Sequence, residues 1–285
     1  MNPYIRSLRL RTLPLSVAGI ILGSGIAAQQ AAVSFRWTTF FLAVATTLSL
    51  QILSNLSNEL GDALKGTDAD QHGREAYGLQ AGTITVPQMK AMIGLFIGLS
   101  VIFGTALVWS AFGTLFCLPA LVFLALGLLA IIGAMTYTLG KHSYGYIGLG
   151  DLGVFLFFGL LSTIGAFYLQ AQAVTEEAVW CGVAIGLPCV GVLNLNNIRD
   201  MQNDIAHGKR TFASLLGPAG ARRYHTVLLI GCLCIFVTYG HYWTLCILPV
   251  WIWHLYYVRT HTQKLDKQMP VLMFSTLIVA ILCIF

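Results

Sequence analysis

The run AVWCGVAIGLPCVGVLNL, residues 178–195, passes without a break into NNIRDMQNDIAHGKRT, residues 196–211. The first part is close to the roughly 20 apolar residues that cross the hydrocarbon core of a bilayer. The second part carries Asn196, Asp200 and Asp204 at one-turn intervals, so that all three share a helical face. Carboxylates at the end of an apolar span are costly to hold near hydrocarbon, and that cost marks a functional surface. A second stretch has the same layout. NELGDALKGTDADQHGR, residues 58–74, closes the apolar run 38–57, places Asn58 and Asp62 on one face, and continues through Asp68 and Asp70. The two stretches suggest a distant internal repeat.

Composition agrees with this reading. Of 285 residues, 57% are hydrophobic and 9% charged, against about 25% charged in an ordinary soluble domain. A soluble enzyme and a disordered chain are both excluded. Apolar stretches near 12–32, 38–57, 88–110, 113–139, 151–171, 178–195, 225–240, 242–258 and 269–285 predict an all-α integral membrane protein, a bundle of nine transmembrane helices in one domain over residues 1–285. The weakest boundary is Gly240-His241, between the seventh and eighth stretches. The stretch 12–32 follows a basic start but is long enough to cross a bilayer, so no cleaved leader is expected.

With nine spans, every Lys and Arg except Arg36 falls on the amino-terminal face. The positive-inside rule makes that face cytoplasmic and puts the carboxyl terminus opposite. Joining the seventh and eighth spans would move Arg259, Lys264 and Lys267 across and weaken the segregation. All acidic residues except Glu176 and Glu177 share the basic face as well. The seven cysteines include no CxxC pair, and Cys232 and Cys234 would point to different sides of a helix. They read as small membrane-helix residues, without a metal or redox framework.

Carboxylates one turn apart repel one another, and a bound cation is the economical reason to keep them. Oxygen-only ligands select Mg2+ or Ca²⁺ over zinc, and Mg2+ is commonly held by one or two carboxylates together with phosphate oxygens. Arg74, Lys209 and Arg210 beside the carboxylates complete a diphosphate site. An ion-coupled transporter would instead keep its acids near the bilayer midplane, away from loops.

At these residues the sequence resembles the UbiA superfamily of membrane prenyltransferases, and within it the enzymes that act on 1,4-dihydroxy-2-naphthoate in menaquinone biosynthesis. The likeness rests on Arg9-Leu10-Arg11-Thr12-Leu13-Pro14, Asn58 to Asp68, Tyr144-Gly145-Tyr146-Ile147-Gly148-Leu149-Gly150-Asp151, and Asn196-Asn197-Ile198-Arg199-Asp200 with Asp204, Gly208, Lys209, Arg210 and Thr211. It departs from the superfamily pattern at Glu59 and Gly66, where that pattern has Asp. The resemblance implies transfer of a polyprenyl chain from its diphosphate to the naphthoate, with loss of carbon dioxide and pyrophosphate, giving demethylmenaquinol. Rival acceptors are 4-hydroxybenzoate and homogentisate.

The resemblance also implies Mg2+ bound by Asn58, Asp62, Asp68, Asn196, Asp200 and Asp204. Asp62, Asp200, Asp204 and Tyr137 are the expected catalytic residues, with Tyr137 at the allylic carbon or bridging oxygen. Lys141, Lys209 and Arg74 are expected on diphosphate, and Arg9 on phosphate or the acceptor carboxylate. Asp151 is expected either to orient the acceptor or to cap a helix. His72 and His207 follow the two motifs as candidate bases without an assigned role. Gly19, Gly23 and Gly25, and the pair Gly94 and Gly98, are expected at close helix contacts inside the bundle.

Overall fold

A computed structural model of the chain describes residues 2–67, 77–261 and 265–285. Asp68, Asp70, His72 and Arg74 lie outside the described residues. The described chain is helical, and nine principal helices organise it: α1 Leu13–Gln29, α2 Trp37–Lys65, α3 Val86–Phe112, α4 Leu118–Thr136, α5 Gly150–Ala171, α6 Glu176–Ala206, α7 Phe212–Thr238, α8 Leu248–Thr260 and α9 Gln268–Leu282. This is a multi-pass membrane architecture.

Of the nine expected spans, eight are matched among the described residues. Among the described residues, eight helical segments are long and apolar enough to cross a membrane. The exception is α8. The chain turns at Gly240, as the sequence suggested, but then spends Tyr242–Ile247 in a 3₁₀ stretch. The α-helical part, α8, has 13 residues, about 20 Å at 1.5 Å per residue, and it reaches the roughly 30 Å of a hydrocarbon core only together with the 3₁₀ residues before it, at about 2.0 Å each.

Local chemistry sets the helix ends. Helix α3 begins with a capping box, in which the Thr85 backbone N–H donates to Gln88 Oε1 at 2.9 Å, and stops at Gly113 with φ 68°. Glu176 and Glu177 occupy the first turn of α6, where carboxylates favour the helix dipole. The two helices that carry the acidic motifs outlast their apolar runs by several residues, and each stops at a left-handed glycine: Gly66 (φ 73°) after α2 and Gly208 (φ 71°) after α6. Asn58 and Asp62, and likewise Asn196, Asp200 and Asp204, are therefore all helical. Helix α7 is bent at Gly217-Pro218, where Gly217 leaves helical geometry.

The chain divides into two compact units. The first comprises the amino-terminal stretch through Leu13, Phe41–Gly150 and Gln202–Thr211; its core is built on Leu53, Leu56, Leu60, Met89 and Ile93. The second comprises Pro14–Phe40, Asp151–Met201 and Phe212–Phe285, around Phe167, Ile185, Leu229, Phe236, Trp251 and Leu272.

The glycines in α1 behave as expected within the second unit. A Cβ on Gly19 would lie 1.9 Å from Ser162 Oγ, one on Gly23 2.1 Å from the Thr163 carbonyl oxygen, and one on Gly25 2.3 Å from Ile284 Cδ1. Gly94 and Gly98 do not: among the described residues nothing lies within 4 Å of a Cβ at either position. Their spacing imitates a packing motif without a helix pressed against it.

Candidate functional site

In the first unit, residues of both acidic motifs meet at one aromatic ring. The Tyr146 hydroxyl donates to Asp62 Oδ1 at 2.8 Å and lies 2.7 Å from Thr67 Oγ1. Lys65 Nζ sits over the Tyr146 ring, 3.7 Å from its centroid, and Lys209 Nζ stands 5.5 Å from the same centroid. Lys209 pairs in turn with Asp204 Oδ1 at 3.3 Å, and both of these side chains are buried. Lys65 also donates to Ser143 Oγ.

Backbone contacts hold this arrangement. The Arg210 N–H donates to the Tyr146 carbonyl at 3.0 Å, in an isolated parallel bridge that joins Ile147 to Arg210. Asn203 Nδ2 donates to the Thr67 carbonyl at 2.9 Å, tying the segment after Gly66 to the end of α6. Asn58 Oδ1 accepts from Thr138 Oγ1 at 3.2 Å, and Thr138 also bonds the Ser57 carbonyl at 2.9 Å. Gly61 permits that approach, since a Cβ there would lie 2.5 Å from Thr138 Oγ1.

Burial raises the Tyr144 phenol to about 12. It lifts Tyr146 further, helped by the Asp62 charge beside it. Tyr146 thus stays protonated at ordinary pH and is a fixed donor to the carboxylate.

In the second unit, Arg199 organises its neighbours in the second motif. Its Nε donates to Asp200 Oδ1 at 2.7 Å and its Nη2 to Asn196 Oδ1 at 2.6 Å, while further contacts reach Asp200 Oδ2 and Asp266. Such a fork over a carboxylate is a strong, directional pairing. Asp151 stands in the first turn of α5 and hydrogen-bonds with the Tyr224 phenol.

The remaining expected residues divide as follows. Tyr137 packs edge-on against Tyr144, with ring centroids 5.3 Å apart. Lys141 is exposed. Arg9 adopts a left-handed backbone (φ 51°) and lays its guanidinium 4.2 Å from the centroid of Tyr77, whose hydroxyl accepts from Arg11 Nη2 at 2.6 Å. His207 Nδ1 folds back onto the Asn203 carbonyl at 2.9 Å. Glu59, at a departure from the superfamily pattern, is 1% exposed; its Oε1 accepts from Ser7 Oγ at 3.2 Å and from the Leu79 N–H at 2.8 Å. Those contacts give it a tethering role in the fold.

Tyr146 and Lys65 were not singled out from the sequence as site residues. Their signal lay in the stretches Tyr144–Asp151 and Lys65-Gly66-Thr67-Asp68, which look like loop and helix end until folded.

The donor set suits a hard divalent cation. Asn58, Asp62 and Asp204 offer only oxygen, and carboxylates at helix C-termini gain from added positive charge. Asp200 is already matched to Arg199, so a cation would compete with that guanidinium for the carboxylate.

Taken together, the fold and site define a helical membrane protein with an acidic, lysine-bordered cluster of side chains at helix ends. A model of the UbiA prenyltransferase family matches residues 16–279, and the chain belongs to this family. The chain is 44% identical over 236 residues to 1,4-dihydroxy-2-naphthoate octaprenyltransferase of Escherichia coli (strain K12), covering 82% of this chain and 75% of that protein. Among solved structures it is similar to the apo structure of a UbiA homolog from Aeropyrum pernix K1, with TM-score 0.70, 17% identity and coverage of 97% and 96% of the two chains. A UbiA homolog from Archaeoglobus fulgidus, bound to DMAPP and Mg2+, has TM-score 0.63 at 15% identity and coverage of 98% and 85%.

Proposed function

We propose that the chain, as one membrane-embedded domain, transfers a polyprenyl group from its diphosphate to 1,4-dihydroxy-2-naphthoate, releasing pyrophosphate and carbon dioxide and giving demethylmenaquinol. One observation carries the reading: carboxylates from both acidic motifs, Asp62 and Asp204, converge with Lys65 and Lys209 around Tyr146. The naphthoate octaprenyltransferase relative supports the acceptor. The homolog bound to DMAPP and Mg2+ supports the donor and the ion.

In this reading Asn58, Asp62, Asp68, Asn196, Asp200 and Asp204 hold Mg2+. The ion supplies Lewis acidity toward the diphosphate, which eases departure of the leaving group. Lys209, Lys65, Lys141 and Arg74 bind phosphate oxygens. Tyr146 fixes the rotamer of Asp62 through its hydroxyl, and Tyr137 borders the allylic carbon. Arg9 meets the acceptor carboxylate and Asp151 orients its ring. The apolar helices around the site exclude water, which would otherwise capture the electron-poor allylic carbon before the aromatic ring does. Orientation follows the charge asymmetry, with the amino terminus and site on the cytoplasmic side of a bacterial inner membrane.

The test supplies membranes carrying the protein with a labelled polyprenyl diphosphate and, in turn, 1,4-dihydroxy-2-naphthoate, 4-hydroxybenzoate or homogentisate. Prenylation of the naphthoate with equimolar carbon dioxide release is expected, and Asp62→Asn or Asp200→Asn abolishes it while the protein remains folded. Full activity in both variants, or prenylation of another acceptor alone, overturns the reading.

A further inference from the structure

Far along α6 from the acidic motif, the second unit gathers three metal-ligating side chains, with a carboxylate beside one of them. Cys181 lies 19 residues before Asp200 on the same helix, about 28 Å away at 1.5 Å per residue. One turn before it on that face is Glu177. His241 comes from the turn after α7 and Cys283 from the residue after α9. Ligand atoms of Cys181, His241 and Cys283 all lie within 4.8 Å of one another, and both cysteines are 1% exposed.

Two of the separations match edges of a coordination tetrahedron. Cys181 Sγ is 3.6 Å from His241 Nε2, and the same nitrogen is 3.3 Å from Glu177 Oε1. A tetrahedral zinc ion with Zn–S of about 2.3 Å, Zn–N of about 2.05 Å and Zn–O of about 2.0 Å has an S···N edge of about 3.5 Å and an N···O edge of about 3.3 Å. The two sulfurs lie within 4.8 Å of one another. Two soft sulfurs, an imidazole and a carboxylate suit zinc and reject the hard Mg2+ of the opposite end.

The geometry points to a structural zinc site formed by Cys181, His241 and Cys283, with the Glu177 carboxylate beside His241 turning in as the fourth ligand, which clasps the beginning of α6 to the segments that follow α7 and α9. Binding takes two thiolates, so two protons leave as the ion enters, and no electron is transferred. With all four positions filled by protein, the site has no open coordination position and serves the fold. It is independent of the prenyl-transfer reading, because none of its residues belongs to that site.

The test uses the full chain purified in detergent without a polyhistidine tag. Elemental analysis should find about one zinc per chain. Cys181→Ser and Cys283→Ser should each lose it, with a lowered thermal midpoint and prenyl transfer retained at permissive temperature. Should a variant fail to fold, the wild-type protein decides alone: exchange with Co²⁺ should give a thiolate-to-cobalt charge-transfer band and the intense visible bands of tetrahedral cobalt. Reduced wild-type protein that binds neither zinc nor cobalt overturns the proposal. So does a Cys181–Cys283 disulfide recovered by peptide mapping after thiols are blocked at lysis.

Discussion

Tyr146→Phe removes one oxygen from the centre of the site and leaves the ring on which Lys65 rests, 3.7 Å from its centroid. What disappears is the 2.8 Å hydrogen bond to Asp62 and the 2.7 Å contact with Thr67. A hydrogen bond to a charged acceptor contributes about 1.5–3 kcal/mol, and each 1.36 kcal/mol is about tenfold in rate. A complete loss therefore corresponds to roughly a 10- to 150-fold fall in kcat/KM. Tyr146 is only partly buried, so the lower end, about tenfold, is expected. Because burial and Asp62 push its phenol well above the ordinary range, the deficit should be constant between about pH 6 and 9. Tyr146→Leu should fall further by removing the cation–π surface as well, worth about 0.5–2 kcal/mol. The assay is initial-rate prenyl transfer in detergent micelles with saturating naphthoate and varied diphosphate. A Tyr146→Phe enzyme with wild-type kcat/KM, measured beside an inactive Asp62→Asn control, would refute the role given to this hydroxyl.

Gly61→Ala should lower the thermal midpoint, since its Cβ would lie 2.5 Å from Thr138 Oγ1 and 2.8 Å from the Thr138 carbonyl carbon. Overpacking of this kind costs about 1–3 kcal/mol, and it should reduce activity through the Asn58–Thr138 contact, readable by differential scanning fluorimetry alongside turnover. Tyr144 binds its proton more tightly when folded, at about 12 against an ordinary 10.0. Its contribution to stability is thus complete below pH 10 and drains away as pH climbs toward 12, so a melting series across that window should decline and Tyr144→Phe should flatten it. Preparation in magnesium-free buffer should abolish turnover and leave the melting temperature unchanged, because Arg199 already neutralises Asp200; a collapse of the fold on magnesium withdrawal would contradict this.

What the sequence revealed was local. The one-turn spacing of Asn196, Asp200 and Asp204 is readable because a helix has a fixed period, and α6 stays helical through Ala206. The role of Tyr146 was not legible, since it depends on the loop after α4 meeting the segment 209–211 through Arg210. Glu59 looked like a deviant member of the acidic motif; only the fold shows it turned to Ser7 and Leu79. Gly94 and Gly98 show the opposite failure, a familiar pattern with open space beside it. The eighth apolar stretch satisfied composition, and only the fold shows that its first six residues are a 3₁₀ entry. Cys181 and His241 stand 60 residues apart, beyond the reach of any spacing rule.

The guanidinium clasped to Asp200, Asn196 and Asp266 is a resident counterion. A chain so equipped can complete its insertion into the bilayer before any divalent ion arrives, so that maturation and arming become separate events. A divalent ion that is to reach Asp200 would first have to displace an arginine.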